Sequence, residues 1–139
     1  RESGEYLATT SAVEYALEIL KVQNVIICGH SNCGGCAAVW MNEEAVSSIP
    51  HVKKWLDQLD DIKKEVLAEK PRSPSKKLFM TELFNIKKQI KNLLTYPTAK
   101  DKFEKGTLKI YGWYFDIDSG KVFNYNFATD LFEPLIGEK

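Results

Sequence analysis

No run of apolar residues in this 139-residue chain approaches the roughly 20 that a helix needs to cross a bilayer. Membrane insertion is therefore not expected. Neither sign of charge is in excess, because 19 Lys and Arg balance 19 Asp and Glu. A neutral balance supplies no electrostatic reason to expect nucleic acid or an anionic membrane surface as a partner. Internal repeats and low-complexity segments are absent, which leaves one domain of ordinary composition as the expectation. Cysteine is scarce and clustered: Cys28, Cys33 and Cys36 are the only three, within nine residues of each other. An odd, clustered set does not read as a disulfide framework. It points instead to reduced thiols in a metal or reactive site. With no export signal visible, the expected location is the cytoplasm. The sequence begins Arg1-Glu2-Ser3-Gly4 without an initiator Met, so the true N-terminus is expected to lie outside it.

What is present reads as an α/β domain. Residues 6–21 have helical spacing, with Val13, Ala16, Leu17 and Leu20 on one face. Val25-Ile26-Ile27-Cys28 is a short continuous apolar run rich in β-branched residues, the pattern of a buried parallel strand. Gly34-Gly35 opens a short helix through Trp40. Pro50 starts another helix, carrying Val52, Trp55, Leu56, Leu59, Ile62 and Val66. The stretch 70–75 is a loop, with Ser75 as the cap of a long helix whose stripe is Phe79, Leu83, Ile86, Ile90 and Leu93 and which ends near Tyr96-Pro97. Strands are expected over 108–117 and 122–127, joined by the turn Asp118-Ser119-Gly120, with Phe123, Tyr125 and Phe127 on one face. The predicted fold is a mostly parallel sheet flanked by helices, with an antiparallel hairpin at its C-terminal edge.

The chemistry concentrates in Cys28-Gly29-His30-Ser31-Asn32-Cys33-Gly34-Gly35-Cys36, just past the carboxyl end of the predicted strand, where open α/β sheets place their ligand sites. His30 and Cys33 are separated by two residues, close enough to reach one ion across a tight turn. Imidazole nitrogen and thiolate sulfur are good zinc ligands. Cys33 also precedes a helix start, which favours a thiolate. Two ligands do not make a zinc site, and the same pattern suits a core cysteine with a capping histidine, so spacing alone leaves both readings open. Cys28 reads as a buried core thiol, although on a continuing strand it would share a face with His30. Cys36, one helical turn after Cys33, reads as packing. His51, beside Lys53 and Lys54, reads as a solvated surface residue. The lysines at 63, 64, 87, 88 and 91 read as solvated polar faces, and Trp40, Trp55 and Trp113 as core or subunit-interface residues.

The run Val25 to Gly35 resembles the second zinc-ligand motif of the β-class carbonic anhydrases. Ser11-Ala12-Val13-Glu14-Tyr15-Ala16 is similar to the family's preceding helix. Gly112-Trp113-Tyr114-Phe115-Asp116, followed by Ser119-Gly120, is similar to its late strand and turn, and Asn85-Ile86 is similar to residues of its long helix. The resemblance implies reversible hydration of carbon dioxide to bicarbonate and a proton. It also implies zinc held by two cysteines and one histidine, with a fourth position taken by water or, in some members, by an aspartate. It assigns His30 and Cys33 as metal ligands and implies a homodimer or higher homo-oligomer.

One departure is large. The family's first motif, Cys-x-Asp-Ser-Arg, carries the other cysteine and an aspartate–arginine pair that orients the reacting group, and it does not occur in residues 1–139. No catalytic residue can then be assigned; Tyr6 and Tyr15 have nothing to support them. Residues 1–139 are accordingly expected to be the C-terminal part of a single domain and inactive alone. The competing expectations are a non-catalytic oligomerising scaffold of the same fold and, less well matched, a thiol redox protein using Cys33 and Cys36.

Overall fold

The computed structural model describes residues 7–135, so Tyr6 lies outside the described residues. The first helix, α1 (Leu7–Glu14), runs directly into a π-helical turn at Tyr15–Ile19. Leu17 is fully buried, whereas Leu20, expected on the same face, is 61% exposed. The wider π turn accounts for the difference: it adds a residue to the turn and swings Leu20 off the 3.6-residue stripe. Lys21, with φ 51°, then ends the helix.

Strand β1 (Asn24–His30) follows and pairs in parallel with β2 (Lys109–Phe115), from Asn24 opposite Lys109 to His30 opposite Phe115. Next to β2 lies antiparallel β3 (Val122–Asn126), and next to that antiparallel β4 (Leu131–Pro134), giving the order β1-β2-β3-β4. The α/β class and the hairpin are as expected. The described sheet is mixed, with one parallel and two antiparallel pairings, and β4 rather than the hairpin forms the far edge. Leu131-Phe132-Glu133-Pro134 has too little alternation to announce a strand. It pairs because Asp130, at φ 59°, folds the chain back onto β3.

Between β1 and β2 the chain builds α2 (Gly34–Ala38), α3 (Glu43–Ser47), α4 (Pro50–Leu56), a 3₁₀ turn at Asp57–Leu59, α5 (Asp60–Ala68), α6 (Pro74–Leu93) and α7 (Pro97–Glu104). The 3₁₀ turn breaks the single helix expected after Pro50 and shifts its phase. Leu56, Leu59, Ile62 and Val66 are buried, while Trp55 is 61% exposed. Ser73, not Ser75, caps α6, accepting the Lys76 N–H at 3.1 Å. Pro74 fixes this choice, because proline fits the first helical position and the residue before it becomes the cap.

The long helix α6 lies across β1 and β2. Its Ile86, Ile90 and Leu93 are buried with Leu17, Leu108, Ile110 and Tyr114 in the main core. A second cluster, Val39, Leu56, Leu59, Ile62 and Val66, packs with Met80 and Phe84 of α6. The close helix–sheet approach needs glycine on the strands. A Cβ at Gly29 would stand 2.7 Å from Ile86, and one at Gly112 would stand 2.8 Å from Ile90. Two of the lysines expected to be solvated are instead half-buried ion-pair partners: Lys87 reaches Asp130 at 2.7 Å and Lys88 reaches Asp61 at 3.0 Å.

Candidate metal centre

Strand β1 delivers His30 to the sheet's carboxyl edge. There the Ser31 N–H donates to the Phe115 carbonyl at 2.9 Å, and the buried Ser31 Oγ accepts the Ile117 N–H at 2.9 Å. The exit of β1 is thus tied to the end of β2. Asn32, at φ 55°, makes the turn, and Cys33 becomes the N-cap residue of α2. His30 is exposed and Cys33 half-buried, on either side of this two-residue turn.

The bonds that fix the two residues leave His30 Nε2 and Cys33 Sγ unused, although the Cys33 thiol also has the Cys36 thiol as a hydrogen-bonding neighbour. His30 Nδ1 lies 2.8 Å from the Ser31 carbonyl. A carbonyl only accepts, so Nδ1 carries the proton and Nε2 presents its lone pair. The Cys33 side chain makes no cap hydrogen bond. The residue is held by its backbone instead: the Ala37 N–H donates to its carbonyl at 2.9 Å, and its own N–H donates to Glu82 Oε1 at 2.9 Å. A cavity of about 510 Å³ opens beside Cys33 and Cys36, bounded by Val25 and Ile27 of β1 and by Asn85 and Gln89 of α6.

The other two cysteines divide differently from expectation. Cys28, expected in the core, is exposed. Its strand face, shared with Ile26 at 47% exposure, is not the one that α6 packs against. Cys36 is buried, as expected. Burial, reinforced by the adjacent Cys33 thiol, pushes its own thiol up to about 12. A thiol held protonated in this way does not attack disulfides, which removes support from the redox reading. The raised value stabilises the fold fully below the unfolded thiol's value near 9, and that contribution is lost as pH rises towards 12. Thiol labelling of the native protein near pH 8 should therefore modify Cys28 and spare Cys36, which becomes reactive only on denaturation. Mass mapping of the labelled peptides reads the result, and a Cys36 labelled as fast as Cys28 would contradict its placement. His51 is exposed, as expected, and stands apart on α4.

Sequence reasoning missed Glu82. This residue is 4% exposed, yet both its oxygens are engaged: Oε1 by Cys33 and Oε2 by the Tyr114 hydroxyl at 2.9 Å. Burial, together with the carboxylate, raises the Tyr114 phenol well above its ordinary value, so it remains a donor. The one signal in the sequence was an acidic residue one turn before Ile86 on the core side of α6, where an amphipathic stripe would place Leu or Ile.

The donors present suit zinc in kind but fall short in number. Among the described residues no three His, Cys, Asp or Glu side chains converge on a point that could hold a metal. A catalytic zinc centre takes three protein ligands.

Comparison with known proteins identifies the family. The sequence profile of the carbonic anhydrase family matches residues 3–122, which include β1, the His30–Cys33 turn, α6 and β2. The chain belongs to the β-class carbonic anhydrase family. It is 40% identical over 139 residues to a carbonic anhydrase of Helicobacter pylori, covering 96% of this chain and 62% of that protein. Its fold matches the β-carbonic anhydrase CcaA with a TM-score of 0.86 at 29% identity, covering 96% of this chain and 64% of that one. It also matches a tetrameric β-carbonic anhydrase of the filamentous ascomycete Sordaria macrospora, with a TM-score of 0.76 at 27% identity over 88% of this chain and 61% of that one. The 139 residues thus span a little under two thirds of the length of the Helicobacter pylori relatives they match. No helix among the described residues is long and apolar enough to cross a membrane.

Proposed function

We propose that the protein is the enzyme its family implies, a zinc-dependent catalyst of the reversible hydration of carbon dioxide to bicarbonate, and that residues 1–139 carry two of its three protein ligands. The observation that carries the reading is the β1 exit itself, where His30 and Cys33 stand on either side of a two-residue turn and are fixed by bonds that use neither His30 Nε2 nor Cys33 Sγ, with the Cys36 thiol beside that sulfur. Zinc held there supplies the chemistry known from carbonic anhydrases with three histidine ligands, acidification of a coordinated water. The chain's own contributions are positional. His30 is held in the tautomer that leaves Nε2 unprotonated, and Cys33 is fixed by its backbone. The third ligand, and the aspartate–arginine pair that orients the reacting group, belong to a Cys-x-Asp-Ser-Arg segment outside these residues. The active unit is a homodimer or larger assembly.

Intact mass and zinc content of the protein as its gene encodes it, measured with carbon dioxide hydration, test this. One zinc per chain, a mass above 15.8 kDa and rapid hydration are expected, with residues 1–139 expressed alone binding zinc poorly and not accelerating the reaction. A natural mass near 15.8 kDa with no zinc would sink the enzyme reading and leave the oligomerising scaffold.

A further inference from the structure

We infer that Glu82 is a positioning residue of the metal centre: its buried carboxylate, itself fixed by Tyr114, sets the place of Cys33 through the Cys33 backbone N–H. The inference rests on the zinc reading above.

Three elements meet at this carboxylate. It stands on α6, takes the Tyr114 hydroxyl from β2 at 2.9 Å, and takes the N–H of Cys33, the residue that opens α2, at 2.9 Å. Tyr114 is itself immobilised: it is 6% exposed, and Phe79 packs edge-on at a centroid distance of 5.6 Å. The linkage therefore runs from a rigid strand, through a carboxylate on a long helix, to the ligand turn.

The interior position makes a passive role expensive. A carboxylate removed from water is costly unless donors satisfy it, and among the described residues no salt bridge reaches Glu82. Two neutral donors are what it has. An apolar residue would fill the same helical position more cheaply. What it would not do is accept the Cys33 N–H. Asn32, at φ 55°, an angle asparagine takes readily, turns the chain immediately before Cys33, and the Glu82 bond is what ties the Cys33 N–H to the long helix. Anchoring by the backbone does not use Sγ, whose neighbour is the Cys36 thiol. Partners of this kind, one bond removed from a ligand, orient it and tune its affinity for the metal.

Cobalt(II) is a suitable probe, because a cobalt–thiolate bond has its own charge-transfer absorption. The protein as its gene encodes it should bind cobalt with that band. Glu82→Ala removes the acceptor and should weaken cobalt binding by about 10- to 100-fold and reduce the band per bound ion. Glu82→Gln removes the charge but retains an oxygen for the Cys33 N–H, so it should stay within about threefold of the parent. A strut that merely stabilised the fold would lower the melting temperature of Glu82→Ala and leave affinity and band unchanged in the folded protein, and that result overturns the inference. Should Glu82→Ala not fold, amide hydrogen exchange in the unsubstituted protein decides: protection of the Cys33 N–H is expected, and exchange at the rate of an open loop counts against the anchor. A parent protein that binds cobalt without the thiolate band would bring down the zinc reading itself, an outcome distinct from a parent that binds and a Glu82→Ala variant that binds equally.

Discussion

Replacing Cys33 with Ser should strip the protein, as its gene encodes it, of stoichiometric zinc and lower carbon dioxide hydration by at least about a thousandfold, since enzymes typically gain about a millionfold or more and the proposed chemistry rests on a single ion. The substitution is sterically small. Both bonds that place the residue use its backbone, the N–H to Glu82 and the carbonyl from Ala37, so the turn should survive. What changes is the donor: a serine hydroxyl does not ionise near neutral pH, whereas a thiolate is among the best zinc ligands. His30→Ala should have the same consequence by removing Nε2. Cys28→Ser is the contrast: its exposed thiol shares the β1 face with His30 but is not one of the proposed ligands, so zinc content should be unchanged. Metal analysis and stopped-flow hydration assays read all three, and a Cys33→Ser protein with full zinc would remove Cys33 from the ligand set.

The second large effect concerns the packing that carries the site. Gly112→Ala should destabilise the fold by about 2–3 kcal/mol, the upper part of the range for forcing a methyl group into a packed core. The new Cβ would meet Ile90 Cδ1 at 2.8 Å, Ile86 Cγ2 at 3.1 Å and Tyr125 Cβ at 3.2 Å. These atoms belong to α6 and to β3, so relief in one direction compresses the other. Tyr125 has little freedom, since its hydroxyl donates to Asp130 at 2.7 Å and Asp130 also pairs with Lys87. At this chain length the loss corresponds to a fall in melting temperature of roughly 6–15 °C. Ile90→Val deletes the nearest clashing atom, so adding it to Gly112→Ala should restore part of the loss although Ile90→Val alone destabilises. A Gly112→Ala protein that melts with the parent would mean α6 does not sit this close to β2. The consequence for function is direct, because α6 also carries Glu82, and displacing the helix displaces the anchor of Cys33.

The parts of the molecule that could be read from the sequence are those in which local pattern and tertiary need agree. Val25-Ile26-Ile27 forms a strand because β-branched apolar residues suit a sheet interior, and the Asp118-Ser119-Gly120 turn is marked by a glycine found at φ 70°. Ile86, Ile90 and Leu93 were legible as the buried side of α6 from spacing alone. His30 and Cys33 stood out as candidate ligands because residue type, separation and position after a strand coincide with a recurrent motif. Short local departures escaped that reading: the π turn that exposes Leu20, the 3₁₀ turn that interrupts the helix after Pro50, and the short strand β4. In each, one residue of phase or one left-handed backbone angle decides which side chain faces inward.

The sequence by itself determined the family and the α/β class, and it singled out the two ligands proposed here, because each of these depends on neighbours within a few residues. Only the tertiary structure decided which cysteine is buried, which histidine nitrogen is free and what holds Cys33 in place. Glu82 finds one partner 49 residues away and the other 32 residues away. No helical or strand periodicity carries information over such separations. A buried carboxylate becomes intelligible only when folding brings its two donors to it, since the cost of removing it from water is met by hydrogen bonds that do not exist until the sheet, the long helix and the ligand turn have come together.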